Sequence, residues 1–452
     1  MQHAHRITRL SALALGITGA LAFGQIHASG FQLKENSVKS LGNAFAGSGV
    51  KTGDSSVVVN NPATMTQFEG TTMQADVTVI DLSAEFQGEG FDVIGQPLTG
   101  GNGGQAGDTT PVPALSVVHK LDNGLALGAM VSVPFGLKTE YEPGWVGRYY
   151  AATSEAQIVD VTFSAAVDVI PDHLSVGIGA IYSSADVTLS KAVDFGTLLF
   201  GNPATRPLPF ARPQARDGFA DVSGDDTGFG WILGVNLRPT DKLSIGLTHR
   251  SEIDYELEGE VDWTVPQDVS AVFSSSPTTR VLFQDGAVRA NLTTPATTTL
   301  AVAYQFSERL MLAATYAETG WESLQEVRID FVNPDPDSVE QFQWDTTRFS
   351  SIGGEFKLSN AWTLRAGYAF DETPTTVAHR TPRLPDEDRQ WYSLGATWQL
   401  SDALDINLAY THIKPDEPQI AITTPPAAGG QRLFGSFDSE VNLYGVSAQY
   451  RF

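Results

Sequence analysis

Residues 159–182 read VDVTFSAAVDVIPDHLSVGIGAIY, and this stretch indicates how the rest of the chain folds. From 159 to 169 every second residue is apolar or small, and polar residues such as Asp160 alternate with them. After the turn sequence IPDH at 170–173, the alternation resumes over 174–182. A period of two places successive side chains on opposite faces of a β-strand. The stretch therefore predicts two antiparallel strands joined by a tight turn.

The same alternation recurs from about residue 71 to the end of the chain, with two kinds of connection between the alternating stretches. Six connections are short, at residues 121–124, 170–173, 238–242, 306–309, 358–361 and 400–403. Seven are long and rich in Gly, Pro and Asp, at roughly 87–112, 139–154, 191–226, 259–294, 327–345, 374–388 and 415–437. Tight turns at one end and long loops at the other are typical of bacterial outer-membrane barrels. We therefore predict an all-β fold, a 14-stranded antiparallel transmembrane β-barrel.

Composition excludes several other classes of protein. The chain has 452 residues, a formal net charge of −24 and no cysteine. Such acidity argues against a nucleic-acid partner, which needs a basic surface. The absence of cysteine excludes disulfides, thiolate nucleophiles and Cys-ligated zinc. A mean hydropathy of −0.10 is too polar for a helical membrane protein.

The N-terminal region divides into two parts before the barrel. Residues 1–28 combine Arg6 and Arg9 with a short apolar run and a small residue at Ala28, which predicts a secretory signal peptide. Residues 29–70 do not alternate and are rich in Gly, Ser, Asn and Ala. Because a barrel of this size is wide enough to hold a plug, we predict an N-terminal hatch in the lumen at 29–70 and a transmembrane barrel at 71–452. A disordered periplasmic tail is the alternative for 29–70.

Aromatic residues near the predicted strand ends are expected to form interfacial girdles. They are Trp231, Trp321, Trp362, Trp391, Tyr182 and Tyr410. The chain also ends at Phe452 within an alternating aromatic stretch. This ending resembles the C-terminal signal of barrels that the outer-membrane assembly machinery inserts, and it predicts that machinery as a partner.

Three motifs, in this order, resemble those of the FadL/TodX family of outer-membrane transporters. They are SGFQL at 29–33, NPA at 61–63 and LPDEDRQW at 384–391. The resemblance extends over residues 29–452. It implies passive uptake of long-chain fatty acids or related hydrophobic molecules across the lipopolysaccharide-bearing outer membrane, with no cofactor. Uptake of aromatic or aliphatic hydrocarbons by the same route is the alternative.

The resemblance also implies a route, in which ligand enters the barrel, passes a hatch and leaves sideways through the wall. Phe31 matches a hatch residue that reaches into the internal pocket, and Asn61, Pro62 and Ala63 match the segment that faces the wall opening. Pro134, Phe135 and Gly136 fit the interruption of the third strand that forms this portal, because Pro and Gly weaken strand pairing. A register adjustment without a portal is the alternative. Asp371 matches an acidic position near the opening.

Two long loops contain apolar clusters where water-facing residues are expected. The residues are Leu198, Leu199, Phe200 and Phe210 in one loop, and Phe273 and Phe283 in the next. They predict either an external ligand site or two loops packed on each other, and both interpretations are compatible.

A buried fatty-acid carboxylate needs a cationic partner. Lys191, Arg348 and Arg365 are the candidates, because residues 339–345 (VEQFQWD) lack the basic residue that family members can supply there. The lack of a basic residue in this stretch leaves an uncharged substrate as the alternative.

Other functions receive less support from the sequence. The histidines of the mature chain are scattered, and neither a serine-hydrolase arrangement nor a metal-ligand spacing occurs, so no catalytic residue or metal site is predicted. An open porin is disfavoured by the plug-length segment. A surface adhesin role through the long loops is compatible with transport.

Overall fold

The computed structural model describes residues 30–50, 53–425 and 429–452, so the predicted signal peptide at 1–28 lies outside the described residues. These residues form one antiparallel sheet of nineteen strand segments. The segments are β1 Thr71–Phe91, β2 Thr109–Lys120, β3 Ala126–Glu140, β4 Thr153–Ile170, β5 Leu174–Asp194, β6 Asp217–Thr240, β7 Leu243–Arg250, β8 Ile253–Thr264, β9 Gly286–Thr294, β10 Thr297–Gln305, β11 Leu310–Thr319, β12 Glu326–Phe331, β13 Ser338–Gln341, β14 Thr347–Lys357, β15 Trp362–Asp371, β16 Arg389–Gln399, β17 Leu404–Pro415, β18 Gln419–Thr423 and β19 Arg432–Arg451. The helices are α1 Val38–Leu41, α2 Val57–Asn60, α3 Phe195–Gly201 and α4 Gln267–Ser274, with 3₁₀ turns at Pro62–Gln67 and Trp321–Ser323.

The sheet closes into a 14-stranded barrel, as predicted. Five transmembrane strands are each built from two segments, namely β7 with β8, β9 with β10, β11 with β12, β13 with β14, and β17 with β18. Closure is made by β1 and β19, which pair from Thr72–Arg451 to Phe91–Arg432. All six predicted short turns join neighbouring strands. None of the helices formed by the described residues has the length and apolar character needed to cross a membrane.

The two faces of the wall have opposite polarity, as a lipid-embedded barrel requires. On β4, Phe163 is 62% exposed on the outer face, whereas its neighbour Thr162 is 1% exposed and faces the lumen. Four of the six predicted girdle aromatics lie on the outer face, but Trp321 and Trp391 are fully buried. The girdle prediction is therefore wrong for these two. Trp391 lies on the inward face of β16, which alternation alone does not identify, and Trp321 lies in the 3₁₀ turn that breaks a strand.

Residues 30–50 and 53–70, for which we use the name hatch, are largely buried inside the barrel and contact strands on several sides of its wall. The helices and the 3₁₀ turn of the hatch contact strands from β1 to β6 as well as β16, β17 and β19. Close contact depends on glycines that leave room for the hatch backbone. A Cβ on Gly367 would lie 2.2 Å from the Asn43 backbone, and one on Gly395 would lie 2.7 Å from Gly42 Cα.

Buried polar groups also hold the hatch in place. The carboxylate of Asp54 accepts hydrogen bonds from the hydroxyls of Ser37 (2.6 Å) and Ser40 (2.9 Å) within the hatch. The carboxylate of Asp76, on β1, accepts one from the backbone N–H of Val38 (2.9 Å). Since buried polar groups are costly unless paired, these bonds favour a single seated position for the hatch.

Gly367→Ala is expected to displace the hatch without unfolding the barrel. The added Cβ overlaps the Asn43 backbone, and overpacking of this kind costs about 1–3 kcal/mol. Single-channel recording in planar bilayers should show open-channel currents that the wild-type protein lacks, while heat-modifiable gel migration stays unchanged. Gly286→Ala is the matched control, because the nearest atom to its new Cβ is 3.9 Å away. Wild-type currents from Gly367→Ala would contradict a hatch seated directly on this glycine.

Candidate functional site

The third strand is interrupted at the predicted position. The register of β3 with β4 shifts between Ser132 and Phe135, and the ladder between β2 and β3 ends at Leu115–Val131. Beyond that point the hatch supplies strand-like bonds to β3 from inside the barrel. The Leu33 N–H donates to the Pro134 carbonyl oxygen (2.7 Å), and the Gly136 N–H donates to the Phe31 carbonyl oxygen (2.8 Å). Backbone groups at the interruption are thereby paired.

The same hatch segment places an aromatic ring in a buried pocket. The ring centroid of Phe31 lies 5.0 Å from that of Trp321, 5.7 Å from that of Phe135 and 6.1 Å from that of Trp344. Gly30 permits this approach, because a Cβ there would lie 2.8 Å from the Trp321 ring. We call Phe135, Trp321 and Trp344 the aromatic pocket, and the Phe31 ring fills the space between them.

Breaks in two neighbouring strands turn the tryptophans inward. Trp321 begins the 3₁₀ turn between β11 and β12, and Trp344 lies between β13 and β14. Both indole rings are buried, and neither indole N–H has a hydrogen-bond partner among the described residues. The walls of the pocket are therefore aromatic rings, and two of these rings carry an indole N–H that has no partner among the described residues.

A cavity of about 130 Å³ lies between the hatch and the inner wall. Ser132, Val133 and Pro134 of the strand interruption form part of its lining, and Lys34 and Asn60 of the hatch form another part. This internal cavity therefore reaches the wall where β3 is interrupted.

A carboxylate from the external loop 372–388 holds the N-terminal end of the hatch. Asp386 accepts a hydrogen bond from the Gly30 N–H (2.9 Å), and burial raises the pKa of Asp386 to about 6 despite the nearby Arg389. Arg389 lies 3.5 Å from both Asp386 and Asp371. Within the hatch, burial raises the pKa of Glu35 to about 7.

Asn61, Pro62 and Ala63 lie against the wall at β5 and β6. The Asn61 side chain donates to the Val235 carbonyl oxygen (3.0 Å) and accepts from the Ala63 N–H (3.1 Å), which caps the following 3₁₀ turn. A Cβ on Gly234 would lie 2.1 Å from the Asn61 side-chain oxygen. The gating role of these residues stays a prediction, as does the role of Asp371, which pairs with Arg389 beside the hatch.

The two apolar external loops pack on each other. The ring centroid of Phe195, on α3, lies 6.0 Å from that of Phe273 and 4.9 Å from that of Phe283 in the other loop. Of the residues predicted here, Leu199 and Phe210 belong to the same cluster. Leu198 is 38% exposed, and Arg206 stacks over the partly buried Phe200 ring. The packed loops thus present apolar side chains at the extracellular end.

The predicted carboxylate partners do not come together. Lys191 is near Arg383 and Glu340 at the extracellular end of β5. Arg365 pairs with Glu355 (3.1 Å) inside the barrel. Arg348 is on the outer face, where it pairs with Glu318 (3.7 Å), so the expectation that it meets a ligand inside the barrel is wrong.

Several site residues were not anticipated as such. Trp344 lies in the 339–345 stretch, whose notable sequence feature is its lack of basic residues, and Trp321 resembles a girdle aromatic in the sequence. Lys34 directly follows the SGFQL motif, and no local pattern marks it as a cation of the lumen. Arg250 carries no local signal, because its approach to the Phe135 ring of β3 (5.4 Å) depends on pairing through the intervening strands β4, β5 and β6.

Comparisons with known proteins agree with this architecture. The chain is 25% identical to the long-chain fatty acid transport protein of Escherichia coli over 464 residues, which covers 98% of this chain and 99% of that protein. A crystal structure of a Pseudomonas aeruginosa FadL homologue superposes with a TM-score of 0.87 at 27% identity, covering 93% of this chain and 99% of that one. The Pseudomonas putida toluene transporter TodX shares the fold, with a TM-score of 0.64 at 20% identity, covering 91% and 98%.

The profile of one protein family matches nearly the whole chain. Its description is "Outer membrane protein transport protein (OMPP1/FadL/TodX)", and the match covers residues 19–452. The chain therefore belongs to the OMPP1/FadL/TodX family of outer-membrane transport proteins.

Proposed function

We propose that this protein takes up long-chain fatty acids or closely related hydrophobic molecules by passive diffusion through the outer membrane. One observation carries the proposal. A single hatch segment both plugs the aromatic pocket with Phe31 and bonds to the interrupted strand β3 at Pro134 and Gly136. Withdrawal of that segment opens the pocket and unpairs the wall together, so that ligand arrival and sideways exit are coupled.

The external end of the barrel supports capture of an amphiphile. Apolar side chains of the two packed loops offer a surface to the ligand tail outside the lipopolysaccharide layer. From there the ligand enters the aromatic pocket and then the internal cavity beside β3. Lipopolysaccharide and outer-membrane lipid are the surroundings of this route, and the barrel assembly machinery is the partner during biogenesis.

Long-chain fatty acids are favoured as the substrate because the E. coli relative that matches over nearly the whole chain is named a long-chain fatty acid transport protein. Aromatic hydrocarbons are the second candidate. The pocket around Phe31 is built from uncharged aromatic rings, which also suit toluene-like molecules. Neither substrate undergoes a chemical step, so the proposed function uses no catalytic group, cofactor or metal and is not enzymatic.

Cells that lack their own transporter and express this chain are expected to take up labelled oleate saturably. Asn61→Ala should lower the uptake rate severalfold, because it removes both the bond to Val235 and the cap of the 3₁₀ turn, a loss of about 1 kcal/mol for the cap alone. A hatch deletion should abolish saturation. The measurement is initial uptake rate against oleate concentration, normalised to barrel in the outer membrane.

Asn123→Ala is the matched control for Asn61→Ala. Asn123 also caps a backbone N–H, that of Leu125 (3.1 Å), but in an exposed short turn outside the lumen. Asn123→Ala should therefore leave the rate of oleate uptake unchanged. Absence of saturable oleate uptake by the wild-type chain, with the barrel correctly inserted, would overturn the fatty-acid proposal, and toluene and alkane uptake would then test the second candidate.

The folded protein is expected to be more stable at about pH 5 than at about pH 8. Burial raises the pKa of both Glu35 and Asp386, so the native state binds protons more tightly than the unfolded chain. The contribution of these two carboxyl groups to the free energy of unfolding is fully present below their pKa values of about 4 in the unfolded chain. It is lost as the pH rises through about 6 for Asp386 and about 7 for Glu35.

Glu35→Gln isolates the contribution of one of these groups. It should raise the stability at about pH 8 by on the order of 2–3 kcal/mol and reduce the pH dependence of the melting temperature, measured by circular dichroism in detergent. Glu69→Gln, at an exposed position before β1, is the control. An unchanged pH profile for Glu35→Gln would show that Glu35 ionises as readily in the lumen as in water.

A further inference from the structure

The strands β2 and β3 separate in the extracellular half of the wall. Their ladder ends at Leu115–Val131, after which β2 remains paired with β1 and β3 remains paired with β4. We call the space between residues 109–114 of β2 and the facing part of β3 the β2–β3 gap. At a rise of about 3.3 Å per residue, this part of β2 extends over roughly 20 Å.

The extracellular loop 92–108 closes the β2–β3 gap at its outer end. The Glu140 N–H of β3 donates to the Ala106 carbonyl oxygen (3.2 Å). The Lys138 ammonium group, also on β3, pairs with the Asp108 carboxylate (3.3 Å). The gap is therefore an opening with two ends, bounded by this loop on the extracellular side and by the β2–β3 ladder on the periplasmic side.

The backbone groups of β2 alternate in direction along the strand. The Leu82 N–H of β1 donates to the Asp108 carbonyl oxygen (3.2 Å), and the Lys120 N–H donates to the Gly70 carbonyl oxygen (2.9 Å). In an antiparallel ladder each residue directs its N–H and its C=O to the same neighbour, and successive residues face opposite neighbours. Even-numbered residues of β2 therefore bond to β1, and odd-numbered residues point across the gap to β3.

The three odd-numbered positions of β2 at the gap, 109, 111 and 113, offer β3 no free donor. Pro111 and Pro113 have no N–H. The third position is Thr109, and its N–H donates to the side chain of Asp108 (2.7 Å). Proline occurs at edges of sheets because it cannot donate to a ladder. This edge of β2 therefore presents carbonyl oxygens to the gap without a matching set of N–H groups.

The hatch tip, which comprises residues 30–33, occupies the edge of β3 that β2 leaves free. The N–H groups of Gly136 and Glu140 point to the same side of β3, because they are four residues apart in one strand. The Glu140 N–H bonds to the loop that leads into β2, and the Gly136 N–H bonds to Phe31 of the tip. The strand β2 and the hatch tip are therefore alternative partners for one edge of β3.

We propose that Pro111 and Pro113 keep the β2–β3 gap open for the departing ligand, by denying β2 the donors it needs to pair with β3 when the hatch tip withdraws. A β2 edge with N–H groups would extend the ladder from Leu115–Val131 and reseal the wall, because unpaired backbone groups are costly in hydrocarbon. Without those donors the extended ladder loses the bonds that β2 would donate. The two prolines are thus positioning residues for sideways exit, and the inference rests on the proposed transport function.

The double variant Pro111→Val/Pro113→Val tests this role, because it returns both donors to the edge. Uptake of labelled oleate is measured in the expressing cells, and binding is measured on the purified full-length barrel as quenching of tryptophan fluorescence by dibromostearate. We expect the maximal uptake rate to fall at least fivefold. The dissociation constant for dibromostearate should stay within twofold of the wild-type value, because the aromatic pocket lies before the exit on the proposed route.

Thr109→Val is the matched control for the double variant. It places the same side chain at a gap-facing position of the same strand but adds no backbone donor. It should take up oleate and bind dibromostearate like the wild type. The single variants Pro111→Val and Pro113→Val return one donor each, and their uptake rates should lie between those of the wild type and the double variant.

The outcomes distinguish this inference from the transport proposal. Wild-type uptake by the inserted double variant, or an equal loss of uptake in Thr109→Val, overturns the role of the prolines and leaves the transport proposal standing. Weakened dibromostearate binding also overturns it, since the defect then precedes exit. If the double variant does not insert, the single variants decide, and failure of all three to insert assigns the prolines to folding instead. Absence of saturable uptake by the wild-type chain overturns the transport proposal and this inference with it.

Discussion

Two backbone hydrogen bonds between the hatch and β3 are the contacts on which the rest of this structure depends. In hydrocarbon every backbone N–H and C=O must be paired within the protein, so an interrupted strand in a barrel wall is costly unless something replaces the missing partner. Phe31 and Leu33 supply that replacement from the lumen. The pairing of the wall at the interruption and the position of the hatch tip in the lumen are therefore one arrangement.

The hatch can pair with β3 because buried contacts fix its position in the lumen. Glycines at 367 and 395 let its backbone approach the wall, and buried carboxylates bind its hydroxyls and N–H groups. Its N-terminal segment is held by bonds to β3 and to Asp386, and the Gln32 side chain also bonds to Thr297 and Thr319. The hatch tip is therefore tied to the strand interruption, to an external loop and to the wall at β10 and β11.

The lumen carries charged side chains at its extracellular end and in the internal cavity. Lys191 lies near Arg383 and Glu340 at the extracellular end of β5. Lys34 and Arg250 line the internal cavity, where Asp160 pairs with Arg250. Apolar surface attracts the tail of an amphiphile without holding it strongly at one point.

The barrel, its strand number and its short turns could be read from the sequence alone, because side-chain alternation and turn residues are local properties of the chain. The interruption at Pro134 to Gly136 was visible for the same reason. Which face of a strand points inward is not a local property, so alternation predicts neither the inward position of Trp391 nor the outward position of Arg348. The break in the strand at Trp321 likewise leaves no signal in the alternation. Lys34 and Arg250 are far apart in sequence, yet both line the internal cavity. Only barrel closure around the hatch brings them to one cavity, since their distance is set by register across several strands rather than by any local pattern.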